Sequence, residues 1–224
     1  MSKTIWASVF VILLMMGVSG YLFFSLPDTL VSHWGMQNEP NGWMSKTLFF
    51  VFFIGLTIGL FLLLVCLPKT DPLKKNYAHF QKEYDLLVFF FTCFMFYVLL
   101  LSLLVNLGYG MDIGLGMTPA LAVLFFIIGG LLEKTKRNYF VGIRTPWALN
   151  DDENWEKTHK FGGKLFRLLG IIIAITWLFA FFYRHLSDFL FIIVIAEILF
   201  AAFVPFAYSY LIYAKKQKPA KKHS

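Results

Sequence analysis

Charge is scarce in this chain. Asp, Glu, Lys and Arg make up 15% of its 224 residues, where soluble domains carry about 25%. Acids are the scarcer sign, 13 against 20 Lys and Arg, and there are two cysteines. Cys66 and Cys93 both fall inside apolar runs, which argues against a disulfide scaffold and a thiolate metal pair. There is no HExxH, no Ser/Lys or Cys/His pair within the apolar runs and no aspartate dyad, so an intramembrane hydrolase or transferase lacks its constellation. His79 and His159 lie in different polar segments without a matching nucleophile. The longest polar segment, Glu133–Lys164, has 32 residues, short of the roughly 40 below which chains rarely fold alone. That excludes an extramembrane catalytic, nucleic-acid-binding or nucleotide-binding domain.

What the chain has in quantity is apolar and aromatic side chains, 58% and 19% of all residues. Six runs, nearly free of charge, have the roughly 20 residues needed to cross a bilayer. They are Ile5–Phe24, Thr47–Leu67, Leu86–Leu107, Ile113–Leu132, Leu165–Tyr183 and Phe189–Ile212. The expected fold is all-α and integral to the membrane, with six transmembrane helices. Of the 20 Lys and Arg, 18 fall in alternate segments, from Lys3 to the tail "KKQKPAKKHS", and only Lys46 and Arg184 fall in the others. The positive-inside rule places the basic side, and with it both termini, in the cytoplasm. The tail then serves as an anchor for anionic lipid headgroups. Lys3 and Val18-Ser19-Gly20 resemble the ends of a signal peptide, but the apolar run continues through Phe24, so span one is expected to be retained.

The first outward loop, Ser25–Lys46, is rich in turn formers: Pro27, Asn38, Pro40, Asn41 and Gly42. At 22 residues it exceeds the roughly 2–8 that join adjacent helices. Two readings stand: a connection whose Trp34 and Trp43 sit at the membrane interface, or an outward-facing recognition loop around His33, Trp34 and Trp43. His33 has no second metal ligand nearby and reads equally as a polar surface residue. In the first inward loop Asp71 and Pro72 suit the cap and first position of a helix. Leu73, Tyr77, Phe80 and Tyr84 share one helical face, which suggests an amphipathic helix on the inner leaflet or leading into span three.

The second inward loop reads "EKTKRNYFVGIRTPWALNDDENWEKTHKFGGK". Lys134, Lys136 and Arg137 form a basic cluster, and Gly142 and Thr145-Pro146 frame a non-helical stretch around Arg144. Asn150 and Glu153 have capping-box spacing. They predict a helix from Asp151 to Phe161, closed by Gly162-Gly163. Trp155 and His159 share a face of it. Arg144 and Trp147 could dock a phosphate headgroup, another loop or a cytosolic protein; a well-formed turn is the alternative. Within the spans, Gly55 and Gly59 form a GxxxG pair suited to close packing inside the chain or between copies in a homo-oligomer. Glu197 is the one acid embedded in a span, about 12 Å from its outward end. Such a residue is costly in lipid and marks a candidate functional site. It supports an alternative reading as a small transporter or flippase-like permease, and a structural scaffold is a third. No internal repeat is visible, which weakens the transporter reading.

Around Arg144 the residues Asn138, Gly142, Ile143, Arg144, Thr145, Pro146 and Trp147, followed by Trp155, Thr158, His159, Gly162 and Gly163, resemble the signature of the SdpI family. These are bacterial membrane proteins typified by an immunity protein against a secreted killing peptide. The front of the chain, through Leu26-Pro27, His33, Gly42, Asp71-Pro72 and Asn76, is similar to a membrane domain of unknown function that often precedes this signature. Three positions depart from the pattern: Ala148 in place of Thr, Val31 in place of Pro, and Asn41 in place of Asp. The last removes a charge from the outward loop and bears on which ligand is recognised. The resemblance divides the chain into a two-span domain at 1–85, a four-span SdpI-like domain at 86–214 and a basic tail at 215–224. It implies a multi-pass plasma-membrane protein that is not an enzyme, takes no cofactor and makes no direct contact with nucleic acid. Its partners would be the bilayer, a killing peptide outside and a transcriptional autorepressor held at the membrane inside.

Overall fold

The structure, a computed structural model, describes residues 2–183 and 187–217. Arg184 and the tail from residue 218, both part of the charge pattern, lie outside the described residues. The long helices are α1 (Lys3–Leu22), α2 (Lys46–Thr70), α3 (Gln81–Asn106), α4 (Ile113–Lys134), α6 (Asp152–Phe182) and α7 (Ser187–Gln217); α5 is a single turn, Pro146–Leu149. Among the described residues these six are long and apolar enough to cross a membrane, as in a multi-pass helical membrane protein. Ser2, Ser45 and Asp112 accept hydrogen bonds from backbone N–H groups three residues ahead and so cap α1, α2 and α4. In the spans the hydroxyls of Ser8, Thr57, Thr92 and Thr118 donate to the carbonyl four residues back, leaving no polar hydrogen to lipid. Phe10, Phe52 and Phe203 stand more than half exposed, as side chains facing lipid tails do.

The Ser25–Lys46 segment is not a plain loop. Strands β1 (Thr29–Trp34) and β2 (Pro40–Ser45) form an antiparallel hairpin between α1 and α2. The β-branched and aromatic residues of "TLVSHW" favour extended chain, and Asn38 closes the turn with φ 63°. Gly42 faces His33 across the pair, where a Cβ would come within 2.8 Å of the histidine's own. Asn106, at the end of α3, completes the hairpin as a fragment of a third strand. Its Oδ1 accepts from the Val31 N–H at 2.7 Å, and its Nδ2 donates to the Val31 carbonyl at 3.0 Å. Proline at position 31 could not make the first of these bonds. Below the hairpin lies a core of Met15, Leu26, Leu30, Phe49, Leu99 and Leu103.

Two local expectations need correction. Gly162 and Gly163 do not end a helix: α6 runs unbroken to Phe182. They are there because α4 and α6 approach backbone to backbone. A Cβ on Gly163 would lie 2.7 Å from the Gly129 carbonyl oxygen, and one on Gly170 would lie 2.6 Å from that of Ala122. Gly55 and Gly59 have nothing within 4 Å of a Cβ and take no part in packing inside the chain. The cap of α6 is Asp151 rather than Asn150. Asp151 accepts from the N–H groups of Glu153 and Asn154, while Asn150 donates its side-chain amide to the Pro146 carbonyl. Of the two readings of the Leu73–Tyr84 stripe, the structure shows the one that leads into span three. A 3-10 turn (Lys74–His79) leads into α3, and Tyr77, Phe80 and Tyr84 pack inward on Ile5, Ile12, Phe61 and Leu131.

Candidate functional site

The chain carries candidate sites at both ends of the bundle. At the end away from the hairpin, the SdpI-like signature folds into a compact cap. Asn138 is fully buried and takes five hydrogen bonds. Its Oδ1 accepts from the Phe140 and Val141 N–H groups and from the Tyr77 hydroxyl, and its Nδ2 donates to the Lys136 and Val141 carbonyls. Asp71 ties the same corner from the other side, accepting from the Leu73 and Tyr139 N–H groups and the Tyr77 hydroxyl. Burial and the adjacent Asp71 carboxylate push the Tyr77 phenol well above its usual range, so it remains a donor. Asn76 adds a bond from its side-chain amide to the Arg137 carbonyl at 2.7 Å. Asp71 and Asn76, which belong to the front-end resemblance, and Asn138, which belongs to the signature, thus meet at one junction.

His159 holds the next turn. Its ring stacks on Trp155 with centroids 4.0 Å apart. Nε2 accepts from the Ile143 N–H at 2.9 Å, so the ring proton sits on Nδ1 and is donated to the Trp155 carbonyl at 2.8 Å. Gly142 passes over this ring with φ 123°, and a Cβ there would overlap Nε2. The Trp155 indole N–H donates to the Thr135 carbonyl at the end of α4. Thr145 caps α5 through the Ala148 N–H and also meets the Ser209 hydroxyl of α7 at 2.6 Å. Ser209 and Thr158 both donate to Asn154 Oδ1. Most of the signature, seven of its twelve residues, is therefore buried scaffold. Arg144 is exposed, with one arm donating to the Tyr139 carbonyl at 2.6 Å. Trp147 is half-buried on α7 among Phe206, Tyr210 and Tyr213, with centroids 5.1–6.1 Å away. Pro146 is exposed beside them. Next to this cap an open cleft of about 520 Å³ runs past His79, Lys136, Arg137 and Lys160.

At the hairpin end, a groove of about 480 Å³ opens between the strand tip, α4 and α7. His33 and Trp34 line its roof; Trp43 lies on the hairpin's outer surface and does not. The His33 ring Nδ1 pairs with Asn41 Oδ1 at 2.5 Å, so the residue that departs from the family pattern orients the histidine. Glu197 lies outside the groove lining, half-buried on α7. Thr176 of α6 donates to its Oε1 at 2.8 Å, and Oε2 has no hydrogen-bond partner among the described residues. Cys66 and Cys93 are free thiols. Sequence reading missed Asn106, Ser209 and Thr135. Each was visible as a small polar residue in or beside an apolar run, the place where an unpaired polar group is costly.

Comparison with known proteins matches residues 134–209 to the SdpI/YfhL protein family and residues 10–58 to a domain of unknown function, DUF1648. The immunity protein SdpI of Bacillus subtilis (strain 168) is 28% identical over 210 residues, 93% of this chain and 95% of the relative. The resemblance read from the Arg144 signature and the front-end residues is thereby borne out. No solved structure matches the chain.

Proposed function

We propose that this SdpI-like plasma-membrane protein is an immunity protein that meets a secreted antimicrobial peptide at its hairpin end. In this reading the hairpin faces outward and the signature cap faces the cytoplasm, as the distribution of Lys and Arg predicts. The observation that carries the reading is the groove under His33 and Trp34. Its roof is tied to rigid helices, Asn106 of α3 accepting from the Val31 N–H and Asn38 accepting from the Ile113 N–H of α4, so a ligand meets a surface already in shape. At the other end the cap offers a cytosolic partner an exposed cation, Arg144, on a restrained backbone. The guanidinium keeps its charge and presents a fixed fork of donors to a carboxylate or phosphate. A transcriptional autorepressor, as the family resemblance implies, is the partner proposed.

The test is expression in a peptide-sensitive strain, with survival scored against candidate secreted killing peptides. Protection by the intact chain and its loss in Trp34→Ala at unchanged protein level are expected. Failure to protect against every peptide tried overturns the immunity reading. Arg144→Ala should abolish partner recruitment while leaving protection intact, and Arg144→Lys should restore it in part. Glu197→Gln is expected to leave protection unchanged; loss there would favour the transporter reading.

A further inference from the structure

The hairpin-end groove is more specific than a general contact surface. Its walls are apolar: Met117 and Leu121 of α4 face Phe191, Ile195 and Ile198 of α7, under Trp34. At 1.5 Å per residue, Leu121 lies about 13 Å below Asp112, the cap of α4, so the walls run through most of one half of the hydrocarbon core. Apolar walls alone cannot select a ligand there, because lipid tails fill such a space equally well. Selection must come from the rim.

The rim is acidic. Asp112 spends one oxygen on the Leu115 N–H, and Glu39 lies where a Cβ on Gly35 would be and accepts from the Gln37 N–H. The two acids flank a single bond, from the Ile113 N–H to Asn38 Oδ1 at 2.8 Å. Among the described residues neither pairs with a Lys or Arg, whereas the nearby Asp28 is neutralised by Lys46 at 3.0 Å.

We propose that the groove seats an apolar peptide segment of two to three helical turns, lying in the outer half of the bilayer with a cationic end at Asp112 and Glu39. The proposal rests on the outward orientation of the hairpin and names the chemistry of the ligand that this end would take. It sets recognition where a membrane-inserted peptide differs from a zwitterionic lipid: at a positive charge with no phosphate beside it, held at the depth of the α4 cap.

The experiment uses the full chain in phosphatidylcholine nanodiscs and fluorescently labelled synthetic helices. One probe is a Leu/Ala helix ending in two lysines; a second has the same helix ending in two glutamates. The lysine-ended helix should bind about tenfold or more tightly than the glutamate-ended one. Ile195→Trp, which fills the groove from an exposed position, should abolish binding, while Val123→Trp on the lipid face of α4 should not. The combined Asp112→Asn and Glu39→Gln change keeps a capping side chain at position 112 and should erase the difference between the two probes. Equal binding of both probes to the unaltered chain, or unchanged binding in Ile195→Trp, overturns the proposal, and so does release of a tightly held lipid or assembly of two copies through the groove. A chain that protects cells yet shows no preference for the cationic probe defeats this inference alone; a chain that protects against nothing defeats the immunity reading itself.

Discussion

Replacing Gly142 by alanine tests whether the signature is a folded cap. The position has φ 123°, which side-chain-bearing residues rarely adopt, and the added Cβ would overlap His159 Nε2. The strained backbone costs about 1–3 kcal/mol. His159 cannot simply turn away, because it is stacked on Trp155 and bonded through Nδ1 to the Trp155 carbonyl. Moving it strips the Ile143 N–H of its acceptor, at about 1–3 kcal/mol for an unsatisfied donor. Together these give about 4 kcal/mol, which for a chain of this size lowers the melting temperature on the order of 10 °C. Intrinsic tryptophan fluorescence during a thermal ramp in detergent measures it, and hydrogen exchange at the Ile143 amide should accelerate in parallel. The control is Gly110→Ala, where φ is not positive and nothing lies within 4 Å. If Gly142→Ala melts within about 2 °C of that control, a surface-like response, the signature glycine does not hold the cap and the reasoning fails.

Gly163→Leu should drive α4 and α6 apart and yield aggregated protein on size-exclusion chromatography, whereas Gly59→Leu should elute as the unaltered chain does. Ser209→Ala removes the hydroxyl shared by Thr145 and Asn154 and should cost about 1–3 kcal/mol in a detergent melt. The hydrogen bond from Lys216 holds the Asp151 carboxyl below its ordinary value of 3.8. A depressed folded value means that this stabilisation is complete above that pH and is lost as pH falls through the folded value. Melting curves taken down to about pH 3 should show a steeper acid loss in the unaltered chain than in Lys216→Ala. Alkaline phosphatase fused after Gly42 should be active and after Gly142 inactive; the reverse would invert the assignment of both ends.

The apolar runs determined the six spans by themselves, because a bilayer demands about 20 apolar residues whatever the neighbours are. The signature around Arg144 was equally legible as a pattern, as was the shared face of Trp155 and His159. Its meaning was not. Spacing marks Gly162-Gly163 as a helix end, but a glycine pair also permits close approach of a second helix, and only the position of Gly129 and Ala122 on α4 decides between them. The hairpin was hidden for a related reason. A two-stranded hairpin is marginal by itself, and here it is tied at Val31 to Asn106, 75 residues away. Arg144 and Asn138 looked alike in the sequence as polar signature residues. Tertiary structure separates them: Asn138 spends every hydrogen-bonding group on the fold, while Arg144 is left facing outward. The groove belongs wholly to the tertiary structure. Its walls come from α4 and α7, its roof from a hairpin far earlier in the chain, and no local pattern of side chains encodes a space between three elements.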